Sequence, residues 1–300
     1  MAAGSSGELV SAVIASYNMA QYLPQAVNSV LAQTYANVEV QIVDDGSTDA
    51  TAAVVRQWDS DPRVRVHFQK NAGAANAKNQ GMKLSRGAYV ALLDADDVWL
   101  PDKLALQMPL FTASPDIGLV YSDYARMDGE GRPLPQAVTA MHRGRVAGPL
   151  LIENFVPYSA VVMRRACLER TGCFDESLSM GFDYDLWLRL SAHYQFDFVP
   201  RATFRYRVWS GQLSRNYRKR WQVAIQTTQR FLDNHPDAVE AAVVREAWAH
   251  TYVGRGDSTL WQEQDRTAAF RDYLRALQYV PWYWPAWRAL ARGLITTRAP

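Results

Sequence analysis

The chain has 300 residues, 48% of them hydrophobic and 21% charged, with a formal net charge of +2. It can bury a full core and exceeds the usual single-domain length, so a domain with an extension is expected. The near-neutral balance leaves no global nucleic-acid footprint, Cys167 and Cys173 alone make no disulfide framework, and no apolar run approaches the roughly 18–20 residues that cross a bilayer. With no charged-then-apolar leader, a cytoplasmic protein is expected, its first seven residues a flexible tail.

Residues 9–15 read as the first strand, ending in Ser16-Tyr17-Asn18. A tyrosine there stacks on a base or caps the core with its hydroxyl in water. Residues 38–43 are a second strand, closing in Asp44-Asp45-Gly46-Ser47-Thr48-Asp49 before a helix over 50–58. Gly46 permits the tight turn and Ser47 or Thr48 would cap the helix, which leaves Asp44 and Asp45 together unexplained.

Residues 88–93 read as a strand buried on both faces, followed by Asp94-Ala95-Asp96-Asp97. Carboxylates crowded at a strand end raise one another's pKa unless a cation or water relieves them. Mg²⁺ and Mn²⁺ prefer such oxygen ligands, commonly with substrate phosphates, so the spacing suits a metal–diphosphate clamp. The alternative is a solvated acidic turn opening a helix at Pro101-Asp102-Lys103-Leu104. Ligands of open α/β sheets bind at the carboxyl ends of strands, so two acidic strand ends point to one crevice.

Further along, residues 117–127 are expected as a strand, Asp128-Gly129-Glu130-Gly131 as a hairpin turn, residues 133–143 as a polar loop, and 160–164 as another strand. Gly181-Phe182-Asp183-Tyr184-Asp185 opens an amphipathic helix whose Leu186, Trp187 and Leu190 face the core. From local sequence alone Asp183 is a dipole partner or an N-cap. After Arg207 the character changes to helices over 214–234, 238–252, 262–279 and 286–297. Arg215, Arg218, Lys219 and Arg220 flank Tyr217 and Trp221, and Trp282, Tyr283, Trp284 and Trp287 sit beside Arg288, Arg292 and Arg298. Two readings stand: an interfacial segment on anionic lipid, or tryptophans gluing the last helix to its neighbours.

Val13-Ile14-Ala15-Ser16-Tyr17-Asn18, Ser29-Val30-Leu31-Ala32-Gln33-Thr34-Tyr35, Val43 through Asp49, Asn71-Ala72-Gly73 and Ala77-Lys78-Asn79-Gln80-Gly81 together resemble the family 2 glycosyltransferases of GT-A fold. Leu92-Leu93-Asp94-Ala95-Asp96-Asp97 is similar to that family's metal motif, DXD, and the resemblance covers about the first 210 residues. It implies an α/β fold, a Rossmann-like mixed sheet flanked by helices. Residues 1–210 would be catalytic, with a nucleotide-sugar half over about 8–100 and an acceptor half over 101–210, and residues 211–300 a helical C-terminal extension.

The resemblance further implies roles by position. Tyr17 would stack on the nucleobase beside Ala15, Asp45 would accept a hydrogen bond from the base, and Asp44 would support it or meet the ribose. Lys78 would lie near the diphosphate, Asp94 would sit at the ribose or hold the loop, and Ala95 would line the donor site. Asp96 would be the principal metal ligand, Asp97 would reach the metal or the donor sugar, and Asp183 would be the catalytic base with Asp185 as its competitor. Four departures stand out: Ala15 for Pro or Thr, Ala72 for Gly, Lys78 for Arg, and Phe182 for Glu.

The implied activity is inverting, Mn²⁺- or Mg²⁺-dependent hexosyl or deoxyhexosyl transfer from a nucleoside-diphosphate sugar, UDP or dTDP foremost. The acceptor would be a glycan or lipid-linked hydroxyl in bacterial surface-polysaccharide or O-antigen assembly, at or near the inner face of the membrane, with no nucleic-acid partner. A sugar-nucleotide nucleotidyltransferase and a catalytically silent nucleotide-sugar-binding protein remain as alternatives. A dehydrogenase and a P-loop enzyme are disfavoured, because neither Gly-x-Gly-x-x-Gly after a strand nor a phosphate-cradling Gly-Lys-Ser/Thr loop occurs.

Overall fold

The computed structural model describes residues 7–135, 140–212 and 216–295. The expected tail up to residue 6, the middle of the 133–143 loop, and Arg215 and Arg298 of the basic-aromatic segments lie outside the described residues.

The strands are β1 (Val10–Ser16), β2 (Val38–Asp44), β3 (Val64–Phe68), β4 (Tyr89–Leu92), β5 (Val98–Trp99), β6 (Ile117–Met127), β7 (Pro133–Leu134), β8 (Val162–Arg164) and β9 (Gln195–Arg207). The helices are α1 (Leu23–Leu31), α2 (Thr51–Val54), α3 (Ala74–Leu84), α4 (Lys103–Gln107), α5 (Ala147–Ile152), α6 (Cys167–Thr171), α7 (Phe182–Ser191), α8 (Tyr217–Asn234), α9 (Ala241–Gln262), α10 (Arg266–Tyr279) and α11 (Trp284–Ile295). The chain forms two compact units: Met1–Arg145 with Phe155–Gln212, and Val146–Asn154 with Leu213–Pro300.

The first unit is built on one mixed sheet in the order β3-β2-β1-β4-β8-β6-β9-β5, with β7 paired to β6. β1 runs parallel to both β2 and β4, so the carboxyl ends of these three strands share one edge of the sheet. Their apolar runs are buried, as strands covered on both faces require. Beyond β4 the sheet turns antiparallel through β8, which pairs with β4 and β6. The expected hairpin forms between β6 and β7. Helix α3 packs on β1 and β2 at Gly81, where an added Cβ would lie 2.4 Å from Val13 Cγ1.

The second unit is helical. Its core gathers Trp248, Ala249, Tyr252, Ala276 and Ala286. The rings of Trp248, Tyr252 and Tyr279 stack with centroids 5.8–6.1 Å apart. The break expected after residue 252 does not occur, and α9 continues to Gln262. Gly254 and Gly256 there are not helix stops but sockets: an added Cβ would lie 2.4 Å from the Trp221 ring and 2.5 Å from the Tyr273 ring, respectively. The break falls at Asp265, whose side chain caps α10 by accepting from Ala268 N at 2.9 Å. Helix α5 also belongs to this unit, burying Ala147, Leu150 and Leu151 as it packs on α9.

Candidate functional site

The acidic segment after β4 is a tied loop, not a solvated turn. Carboxylate oxygens of Asp94, Asp96 and Asp97 lie within 4.8 Å of one another. Asp97 is buried and both of its oxygens accept protein hydrogen bonds, Oδ2 from Ser159 Oγ at 2.6 Å and Oδ1 from Arg207 N at 2.9 Å. Ser159 Oγ also accepts from Asp94 N at 3.0 Å. Asp96 Oδ2 accepts from the Trp209 indole N–H at 2.8 Å, and its carbonyl accepts from Arg207 Nε at 2.7 Å. Asp94 Oδ1 pairs with Lys78 Nζ at 2.7 Å.

These contacts do not neutralise the cluster. Burial first, then the charges of Asp96 and Asp94, push the Asp97 carboxyl well above the usual carboxylate range. Burial and Asp94 also raise Asp96, with the Trp209 bond pulling the other way. Three crowded carboxylates, two of them with raised proton affinity, form a hard-donor set that suits a divalent cation of the Mg²⁺ or Mn²⁺ class.

The second acidic strand end is adjacent. Ser16 is in register with Asp44, and Asp45 N donates to Ser16 O at 2.9 Å. Asp45 is buried, and its carboxylate accepts from Gln69 Nε2, Ala72 N and Gly73 N at 2.7, 2.8 and 2.9 Å, so it staples the 69–73 loop to the end of β2. Asp44 Oδ1 accepts from Ser47 N at 3.2 Å.

Gly46 holds φ +74°, and an added Cβ would meet Asn71 N at 2.8 Å, so the turn requires glycine twice over. Ser47 and Thr48 do not cap a helix. Instead Ser47 Oγ accepts from Asn18 N, and Thr48 N donates to Asn18 Oδ1, at 2.8 and 2.7 Å. Asp49 accepts from Thr51 N at 2.9 Å in the turn just ahead of α2, whose N-cap is Ala50. The reason is tertiary: Asn18 adopts φ 55°, which turns its side chain toward the neighbouring strand end. Tyr17 stands 47% exposed between these loops, more than a core cap would be. Ala15 is half-buried beside it and Ala95 is buried within the acidic loop.

Lys78 is itself buried. Its ammonium lies 3.5 Å from the centroid of the Tyr158 ring and 5.1 Å from that of Phe182, so an aromatic pair flanks the Lys78–Asp94 bond. Phe182 opens α7, and Asp183 follows in the first turn, half-buried. The helix N-cap is Gly181, so Asp183 is not the cap. Burial raises the Asp183 carboxyl above the usual range, and the charge of Lys78 opposes this. Asp185 points elsewhere: it is buried in an ion pair with Arg189, which also donates to Cys173 O at 2.8 Å.

The structure thus gathers Lys78 with Asp94, Asp96 and Asp97, links Asp183 to them through the field of Lys78 and Asp94, and sets Tyr17, Asp44 and Asp45 on the same sheet edge. Ser159, Arg207 and Trp209 are supports that the sequence did not single out. Period-2 alternation would put Arg205 and Arg207 on one face, yet Arg205 is exposed and Arg207 buried. No local pattern announces a bond across more than a hundred residues.

A family model described as Glycosyl transferase family 2 matches residues 11–170. The chain is 37% identical over 176 residues to an uncharacterized glycosyltransferase of Nostoc sp., covering 54% of this chain and 52% of that protein. It is 32% identical over 207 residues to the chondroitin synthase of Escherichia coli, covering 68% of this chain and 29% of that protein. The chain therefore spans about half or less of the length of these relatives. Among solved structures it resembles S. aureus TarS 1-349 in complex with UDP-GlcNAc (TM-score 0.69, 17% identity, 91% of this chain and 82% of that one). It also resembles a mannosyltransferase from Pyrobaculum calidifontis in complex with GDP-Man and Mn²⁺ (TM-score 0.65, 19% identity, 96% of this chain and 79% of that one). At these identities the likeness is one of fold: the mixed sheet flanked by helices is the GT-A architecture, followed by C-terminal helices.

Proposed function

The chain belongs to glycosyl transferase family 2, and from that premise we propose that it moves a sugar from a nucleoside-diphosphate sugar to an acceptor hydroxyl with inversion. The observation that carries the reading is the convergence of Asp94, Asp96 and Asp97 at one strand end, with Lys78 bonded to the first of them.

Asp96 and Asp94 would hold a Mn²⁺ or Mg²⁺ ion, with Asp97 anchoring their loop because both of its oxygens already accept protein hydrogen bonds. Bound there, such an ion supplies charge stabilisation for a departing diphosphate. Lys78 would add a point charge on the same side. Tyr17 would stack on the base, Asp45 would accept from it, and Asp44 would brace the turn. Asp183 would take the proton of the acceptor hydroxyl as its oxygen forms the bond to the anomeric carbon, while the bond from that carbon to the diphosphate oxygen breaks. Its raised proton affinity favours this role over that of a helix-dipole partner.

UDP is the favoured nucleotide, supported by the relative crystallised with UDP-GlcNAc, and dTDP is the second choice. A glycan or lipid-linked acceptor in bacterial surface-polysaccharide assembly completes the reading. No helix among the described residues is long and apolar enough to cross a membrane.

The test is a panel of UDP-, dTDP- and GDP-sugars with and without Mn²⁺, read by release of nucleoside diphosphate and by thermal shift, on the intact chain and on Asp96→Ala. A metal-dependent shift by one nucleotide with release from its sugar, both lost in Asp96→Ala, is expected. Pyrophosphate formation from a nucleoside triphosphate and a sugar phosphate would make it a nucleotidyltransferase instead. Binding without turnover would make it a silent binder.

A further inference from the structure

Helix α11 and the turn before it carry a surface that nothing among the described residues of the helical unit covers. Trp282 is 89% exposed, Trp284 68% and Trp287 46%, and Leu294 is exposed beyond them. The opposite side of α11 is where it is held: Ala286 and Ala289 are fully buried, and Gly293 receives the Phe270 ring, with an added Cβ 2.6 Å away. The holding face is thus Ala286, Ala289 and Gly293 with Tyr283 and Leu290, and Trp282, Trp284 and Trp287 face outward. Taking about 150–250 Å² per aromatic side chain, these exposures leave roughly 300–500 Å² of indole surface in water. That is as large as the largest apolar patch on a typical monomer, and such patches commonly mark interaction sites.

Charge identifies the partner. Residues 273–300 contain no Asp or Glu, and Arg288 and Arg292, one turn apart, edge the outward strip of Trp284, Trp287, Ala291 and Leu294. Arg292 pairs with Asp257 at 2.6 Å, and Arg288, one turn on from Trp284, is exposed. Tryptophan concentrates at the boundary between headgroup and acyl chain, and a helix lying in that plane combines an aromatic strip with flanking arginines.

We infer that Trp282, Trp284, Trp287 and Leu294, flanked by Arg288, form a docking surface for an anionic lipid bilayer, with α11 lying in the interface. The surface gives the lipid-linked acceptor reading a physical means. Lipid binding is measured apart from transfer, so either can fail alone.

The experiment is co-sedimentation of the intact chain with vesicles of phosphatidylcholine alone and of phosphatidylcholine with one-third phosphatidylglycerol. Binding to the anionic vesicles is expected, weakening as salt screens the arginines. The double variant Trp282→Ser, Trp284→Ser should lose at least about tenfold in partitioning while keeping its thermal midpoint, since both side chains are already in water. Arg288→Glu should weaken binding to the anionic vesicles alone. Absence of binding by the intact chain, equal binding by the tryptophan variant, or equal binding to neutral and anionic vesicles would overturn the inference. So would self-association in sedimentation velocity that the tryptophan variant abolishes, since the surface would then be an interface between copies.

Discussion

Replacing Asp183 by Asn separates a catalytic carboxylate from a structural one by the sign of its effect on stability. If Asp183 served only as a helix-dipole partner, loss of its charge would cost about 0.3–1 kcal/mol. Burial instead raises its pKa in the folded chain. A carboxyl with a higher pKa folded than unfolded contributes stability below its unfolded pKa and loses it as pH rises through the folded value, so at neutral pH the ionised group is a liability to the fold. Asn keeps the shape and the acceptor oxygen without the charge. Asp183→Asn is therefore expected to melt at the same temperature as the parent or higher, while transfer falls by about 10²–10⁴, or roughly 2.7–5.5 kcal/mol of barrier.

The assays are a thermal melt at pH 7, nucleotide titration, and kcat/KM for transfer across pH. Nucleotide affinity should persist, because the group acts on the acceptor. In the parent the acid limb of kcat/KM should lie above that of an ordinary aspartate, since activity is lost as pH falls through the raised pKa. A lowered melting temperature with transfer unchanged would refute the reasoning.

Asp45→Ala removes the acceptor for Gln69 Nε2 and the Ala72 and Gly73 amides, and should cost about 3–5 kcal/mol in urea unfolding together with nucleotide binding. Ser159→Ala breaks the link between Asp97 and the Asp94 amide. A loss of about 2–4 kcal/mol and weaker Mn²⁺ binding by electron paramagnetic resonance are expected, and unchanged Mn²⁺ affinity would exclude Ser159 as a support of the cation site. Chelation with EDTA should stop transfer and reduce the nucleotide-induced thermal shift, which at about 100 times the dissociation constant corresponds to roughly 2.7 kcal/mol.

The strands β1, β2, β4, β6 and β8, the two acidic strand ends and the helical tail were legible in the sequence because each is a local pattern. Apolar runs of the right length make β1, β2 and β4, and an acidic loop follows where each of the last two stops. What holds those loops was not legible. Ser159 and Arg207 reach Asp97 from 62 and 110 residues away, and Trp209 reaches Asp96 from 113, from a short helical turn, the end of β9 and the loop after it.

The same limit explains the missed length of α9, which runs on to Gln262 with the Trp221 and Tyr273 rings against Gly254 and Gly256. It also explains the tail, where only the fold leaves Trp282, Trp284 and Trp287 exposed and buries the alanines opposite them. Hydrophobic period and turn chemistry act between neighbours along the chain, so sequence determines the elements. Which face is covered, and which buried carboxylate finds a donor, depends on groups brought together only when the elements pack.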